Sequence, residues 1–216
     1  MQRVQNMLEL TDLHYKPATS ERAILQGASL NAQEGSPLLI SGASGSGKTS
    51  LLEIISGMAG AQSGTITWKG ARLNQRQRRW LCGVVFQFPE RHFLGLSVRQ
   101  ELKLGHRRLS GSEQIEVLSQ VGLHGLDNRQ APERLSGGQQ RRLALAVQLL
   151  RKPEVLLLDE PTAGLDWSVR GEVLDLLYNL SRQRVLIVVT HEPELFLNWN
   201  CEHRQLRDGQ LRPLSP

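Results

Sequence analysis

The chain has 216 residues, 39% of them hydrophobic, and a formal net charge of +5, enough for one substantial core with a sub-domain attached. Its longest apolar run, Val185-Leu186-Ile187-Val188-Val189, is far too short to span a membrane, and Met1 to Glu9 lacks the basic-then-apolar layout of a signal peptide, so a soluble, non-secreted chain is expected. Cys82 and Cys201 have no metal-ligand spacing and read as ordinary thiols of a reducing compartment, and the arginine-rich charge has no aromatic interleaving, so no nucleic-acid partner is expected.

In chain order, Met7 to Leu10 and Leu13 to Tyr15 read as an opening strand, and Pro17 to Arg22 as a loop. Ala23 to Ala32 reads as a second strand entering a Glu34-Gly35 turn. These strands are expected to pair with Gly64 to Trp68 and its Lys69-Gly70 turn, forming a small antiparallel layer. Ser36 to Ser41 is a short buried strand; Leu51, Leu52, Ile54, Ile55 and Met58 then carry helical spacing, and Leu81 to Phe86 is another strand. From Ser97 the pattern turns helical: Val98 to Leu104, Ser112 to Val121 with Ser112 as cap, and Gly138 to Leu150. Val155 to Leu158 is a continuous apolar run of the kind found in a central parallel strand. A helix from Trp167 to Leu180, the strand Val185 to Val189, a short helix near Glu194 to Trp199 and a Gln205 to Leu211 hairpin complete the chain.

Between the buried strand and its helix lies Gly42-Ala43-Ser44-Gly45-Ser46-Gly47-Lys48-Thr49, which fits the G-x-x-x-x-G-K-[ST] phosphate loop at every fixed position. Gly and Ser let backbone N–H groups curl around a triphosphate without side chains in the way. Lys48 supplies charge for the outer phosphates, Thr49 a hydroxyl for Mg2+, and Ser50 continues the ATP-binding stretch into the helix, whose positive end faces the anion. After the central strand, Asp159-Glu160 stands where open parallel sheets bind ligands. Asp159 is expected to hold the metal through water, and Glu160 to orient or deprotonate a water.

Leu135-Ser136-Gly137-Gly138-Gln139 matches the signature of the ATPase subunits of ATP-binding cassette (ABC) transporters, and Gln87, Pro161, Ala163-Gly164-Leu165-Asp166 and Thr190-His191 follow the family's order. The resemblance covers nearly the whole chain. It implies an α/β P-loop NTPase with a central, mostly parallel sheet, an antiparallel β layer and an inserted helical sub-domain. The chain is then a single ABC ATPase domain over 1–216: 1–96 and 151–216 form the nucleotide-binding core, and 97–150 the helical sub-domain with the signature. It further implies that each ATP lies between the phosphate loop of one subunit and the Leu135 to Gln139 signature of a second. Glu160 is then the base, His191 contacts the terminal phosphate, Gln87 reaches Mg2+ and water, and Asp166 bridges the subunits.

The same resemblance implies ATP hydrolysis, transmembrane permease subunits as partners, a second ABC ATPase subunit (the same chain or a relative), and a peripheral position on the cytoplasmic face of the membrane. Phe86 to Phe93 is similar to the version in energy-coupling factor importers, although that family often has Gln where His92 stands. Phe88, Phe93 and Leu94 are then the apolar floor of a permease-receiving groove, with Arg91 and Arg99 at its rim. The family's adenine-stacking aromatic falls on Pro17, with Tyr15 two residues earlier on the same strand face; either can cover the base. A soluble cassette ATPase of cofactor assembly fits the same motifs and stands as the alternative; a non-catalytic scaffold would not need both Glu160 and His191.

Overall fold

In the computed structural model, residues 6–214 are described, Glu90 by its backbone alone. The reading of the first residues as lacking a leader falls partly on 1–5, outside that range. The chain divides into two compact units: residues 1–84, 153–160 and 177–216 in one, and 85–152 with 161–176 in the other.

The first unit holds both sheets. An antiparallel layer has strand order β2-β1-β4-β5, from β1 (Met7–Tyr15), β2 (Leu25–Gln33), β4 (Ser63–Trp68) and β5 (Ala71–Arg72). Period-two burial in β2 puts Ala28, Leu30 and Ala32 inward, and Leu25 is buried too, on the far side of an irregularity in its pairing with β1. The second sheet runs β10-β9-β3-β8-β7-β6, from β3 (Leu38–Ser41), β6 (Cys82–Val85), β7 (Val155–Asp159), β8 (Val185–Thr190), β9 (Glu202–Arg207) and β10 (Gln210–Pro213). β3, β7 and β8 pair in parallel and every residue in them is buried, as expected of strands covered on both faces.

Register decides where the chemistry goes. Ser41 pairs with Thr190, and Asp159 with Val189, so β3, β8 and β7 end level with one another. The chain leaving each strand enters the phosphate loop, His191 and Glu160 respectively. α1 (Lys48–Ile55) starts at the end of that loop and buries Leu51, Leu52, Ile54 and Ile55; Met58, expected on the same helix, lies beyond it and is exposed.

α2 (Gln75–Leu81) was not expected. Its register carries almost no apolar residues, but Asn74 and Gln77 form a reciprocal capping box that fixes its start.

The second unit is mainly helical, with α3 (Val98–Lys103), α4 (Gly111–Gln120), α5 (Gly137–Leu149) and the beginning of α6 (Trp167–Ser181), whose residues from Leu177 belong to the first unit. Ser110, not Ser112, caps α4: its hydroxyl accepts from the Glu113 N–H while the Glu113 carboxylate accepts from the Ser110 N–H. Ser112 lacks a glutamate or glutamine three residues on, so the capping box selects Ser110. The short helix near 194–199 is a single 3-10 turn, Pro193–Phe196.

Candidate functional site

Two glycines of the phosphate loop, Gly42 and Gly47, leave no room for a side chain. Gly47 caps α1 at φ 100°, a left-handed conformation, and a Cβ there would stand 2.2 Å from Ile24 Cγ2. A Cβ on Gly42 would meet the Leu206 carbonyl at 2.8 Å. Lys48 is 8% exposed, and its ammonium donates to the Gly42 and Ala43 carbonyls at 2.8 and 3.2 Å, which holds it along the loop. Ser46 Oγ is buried there without a hydrogen-bond partner among the described residues, a vacant polar atom in a loop built to meet an anion. Ser50 is half-buried in the first turn of α1.

Across the level strand ends, Thr49 Oγ1 donates to Asp159 Oδ2 at 2.7 Å. Burial pushes the Asp159 carboxyl up; the Thr49 hydrogen bond pulls it back, and the neighbouring Glu160 charge raises it again. A hydroxyl and a carboxylate in contact beside an anion-binding loop are hard oxygen donors, so this pair fits Mg2+ completed by phosphate oxygens and water.

Glu160 is 5% exposed and sits at φ 48°, a left-handed backbone that costs on the order of 1 kcal/mol for a side-chain-bearing residue. Its N–H donates to the Val189 carbonyl, Thr190 Oγ1 donates to its Oε2 at 2.9 Å, and His191 Nδ1 lies 2.8 Å from its Oε1. Lys48 Nζ stands 4.0 Å from the same Oε1. The hydrogen bond and charge of Glu160 together raise the His191 pKa, so the imidazole holds its proton to higher pH than an ordinary histidine. Lys48, Thr49, Asp159, Glu160 and His191 are thus gathered in one unit, and Thr190, whose role the sequence left blank, is the side chain that aims the glutamate.

Gln87, the signature and Asp166 lie in the second unit. Ser136 caps α5 in a box with Gln139; Ser136 and Gly137 are exposed, and Leu135 is buried. A Cβ on Gly138 would stand 2.3 Å from Val169 Cγ1, so this glycine is required by packing. Arg141, 4% exposed, went unread in the sequence because a polar residue in a helix suggests a solvent face. Its guanidinium donates to the Gln87 carbonyl and, at 2.9 Å, to the Ala163 carbonyl, tying the Gln87 stretch to the stretch before exposed Asp166. Glu101, also buried, accepts the Leu94 and Gly95 N–H groups at 2.8 and 2.7 Å and shapes the loop on which Leu94 and Leu96 are exposed. Phe88 is exposed with Arg91 4.6 Å over its ring, while Phe93 is half-buried.

Tyr15 is half-buried on β1, opposite Leu25. A cavity of about 900 Å³ adjoins the phosphate loop, walled by Arg22, Ile24, Gln26 and the Arg207 to Gly209 turn; neither Tyr15 nor Pro17 lines it. Among the described residues there is no group of three or more His, Cys, Asp or Glu arranged to hold a metal ion by themselves, and no helix long and apolar enough to cross a membrane.

A glycine loop between a buried parallel strand and a helix, with two acids at the end of a nearby strand, defines the P-loop nucleoside triphosphatase class. Within that class the ABC transporter family model matches residues 25–163, and the chain belongs to that family; it is an ATPase. It is 38% identical over 201 residues to ABC transporter I family member 11, chloroplastic, of Arabidopsis thaliana, covering 86% of this chain and 72% of that one. It is 35% identical to the energy-coupling factor transporter ATP-binding protein EcfA2 of Methanospirillum hungatei, covering 91% of this chain but 52% of that longer relative. Among solved structures, cbiO1 of Clostridium perfringens, described as part of the ABC transporter complex cbiONQ, superposes with a TM-score of 0.83 at 27% identity, covering 96% of this chain and 87% of that one.

Proposed function

We propose that the chain is the ATP-hydrolysing subunit of a membrane transporter, seated on the cytoplasmic face against transmembrane partners, and that it energises import of a small solute, vitamin or metal ion. The observation that carries this is the convergence of Lys48, Thr49, Asp159, Glu160 and His191 where three parallel strands end level. The relatives named as energy-coupling factor ATP-binding proteins, and a cbiO1 structure from a transporter complex, support the importer class.

In this reading the Gly42 to Thr49 loop and Ser50 hold the triphosphate, with Lys48 turning from the loop carbonyls to the outer phosphates. The Thr49 hydroxyl and the Asp159 carboxylate would hold Mg2+, which when bound neutralises charge on the phosphates. Glu160, aimed by Thr190, accepts a proton from a water whose oxygen attacks the terminal phosphorus. The bond to the bridging oxygen breaks, and ADP leaves with inorganic phosphate. Protonated His191, paired to Glu160 at rest, contacts the terminal phosphate, and Gln87 reports to the helical segment 97–150 whether the site is filled. Ser136, Gly137 and Gly138 present a helix N-terminus to the nucleotide of a second subunit, and Asp166 lies at that contact.

Phosphate release from magnesium ATP tests the chemistry. Glu160→Gln is expected to bind ATP and to lose about 10²- to 10⁴-fold in kcat; unimpaired turnover removes Glu160 from the mechanism. Purification of the tagged chain from detergent-solubilised membranes tests the partner. A protein with several membrane spans is the expected companion, and purely soluble companions would assign the chain to cofactor assembly instead.

A further inference from the structure

The first unit contains a second cavity, of about 470 Å³, between the antiparallel layer and the segment Arg72 to Arg78; its lining shares no residue with the phosphate loop. We propose that this cavity binds a small organic anion, a carboxylate or phosphate monoester carried on an apolar body.

Three observations point there. The volume falls within the range of about 300–1,000 Å³ usual for ligand sites. Leu13, Ile66 and Leu73 give it an apolar floor, and Arg72 and Arg78 face it with no acidic residue in the lining. Arg78 is the decisive one: it is 7% exposed, and its Nε and Nη1 donate to the Ile54 and Leu73 carbonyls, both at 3.1 Å. Among the described residues no carboxylate pairs with it, and its neighbour Arg79 carries the same charge. A guanidinium stays charged in proteins, and a buried charge held only by neutral carbonyls is costly to maintain, so a cavity beside it selects an anion. The surrounding chain adds to the field: residues 69–81 include Lys69, Arg72, Arg76, Arg78 and Arg79 and no acid.

The test is an amide NMR titration of the full-length chain with its phosphate loop saturated by ADP, using benzoate, phenyl phosphate and neutral benzamide as probes. Benzoate or phenyl phosphate at millimolar concentration is expected to shift the amides of Gly60, Ala61, Gly64 and Leu73. The anion that binds identifies the headgroup class, and benzamide is expected to bind at least about tenfold more weakly. Arg72→Ala is expected to weaken the anion by about tenfold or more, and Ala61→Phe, which adds an aromatic ring to the cavity lining, to abolish binding; both should leave ADP affinity unchanged. The proposal is overturned if neither anion shifts these amides, if benzamide binds as well as the anions, or if both variants bind like the natural chain. None of these results depends on whether the chain serves a transporter.

Discussion

Gly138→Ala separates two reasons for a glycine in the signature. The Cβ it adds would lie 2.3 Å from Val169 Cγ1, against about 3.5–4.0 Å for carbon atoms in contact. Val169 is β-branched and has few rotamers to retreat into. Overpacking of this kind costs about 1–3 kcal/mol, and the helix propensity that alanine gains over glycine returns at most about 1 kcal/mol. An approach this short belongs at the upper end of that cost, about 2–3 kcal/mol, so the net loss is about 1–2 kcal/mol, or about 2–8 °C in Tm for a chain of this size. Val169→Ala removes the obstructing methyls, so Gly138→Ala should be nearly neutral in that background, with a coupling of at least about 1 kcal/mol across the double-mutant cycle. Thermal and urea denaturation of the four proteins supply the cycle. A Tm unchanged in Gly138→Ala, or the same loss with and without Val169, would refute a packing requirement and leave the ligand as the reason for this glycine.

Two further outcomes follow from the sites. His191 should titrate above an ordinary histidine, as followed by its ring proton shifts. The Glu160 contact is at full strength below about pH 6.5, where even an unfolded histidine is charged, and is lost as pH rises through the raised folded value. In Glu160→Gln the His191 titration should fall back toward the ordinary value, and an unchanged titration would remove Glu160 as the cause. Arg141→Met should lower Tm by several degrees, because the Gln87 and Ala163 carbonyls lose their donor at about 1–3 kcal/mol for each group left unsatisfied. Arg141→Lys should recover little of it, since an ammonium cannot fork between carbonyls from two stretches of chain; full recovery with lysine would contradict that bridge.

Much of the fold was readable because its signals are local. The β3–loop–α1 unit announces itself through fixed residue types, and β7 and β8 through apolar runs, so both existence and type came through, with strand ends displaced by a residue or two and α1 ending three residues before Met58. α2 is nearly silent in apolar periodicity, and its one local signal is the Asn74 to Gln77 capping box. The same box, read as Ser110 to Glu113, would have placed the start of α4 correctly.

At the site, residue identities were legible but their contacts were not. That Thr190 aims Glu160 and that Thr49 holds Asp159 depend on strand register between segments far apart in the chain, and that Lys48 lies back on the Gly42 and Ala43 carbonyls depends on how the loop between them curls. Arg141 and Glu101 escaped for a related reason. A buried charge satisfied by backbone groups looks, in sequence, like any solvent-facing charge on a helix.

The most direct measurement is the molar mass of Glu160→Gln in solution, by light scattering after size exclusion, with and without saturating magnesium ATP. If each nucleotide is enclosed by the Gly42 to Thr49 loop of one subunit and the Leu135 to Gln139 signature of another, the variant shifts from monomer to dimer on adding ATP, and Ser136→Arg abolishes the shift. A mass that stays monomeric at saturating nucleotide, alone and with a co-expressed relative, would contradict the account.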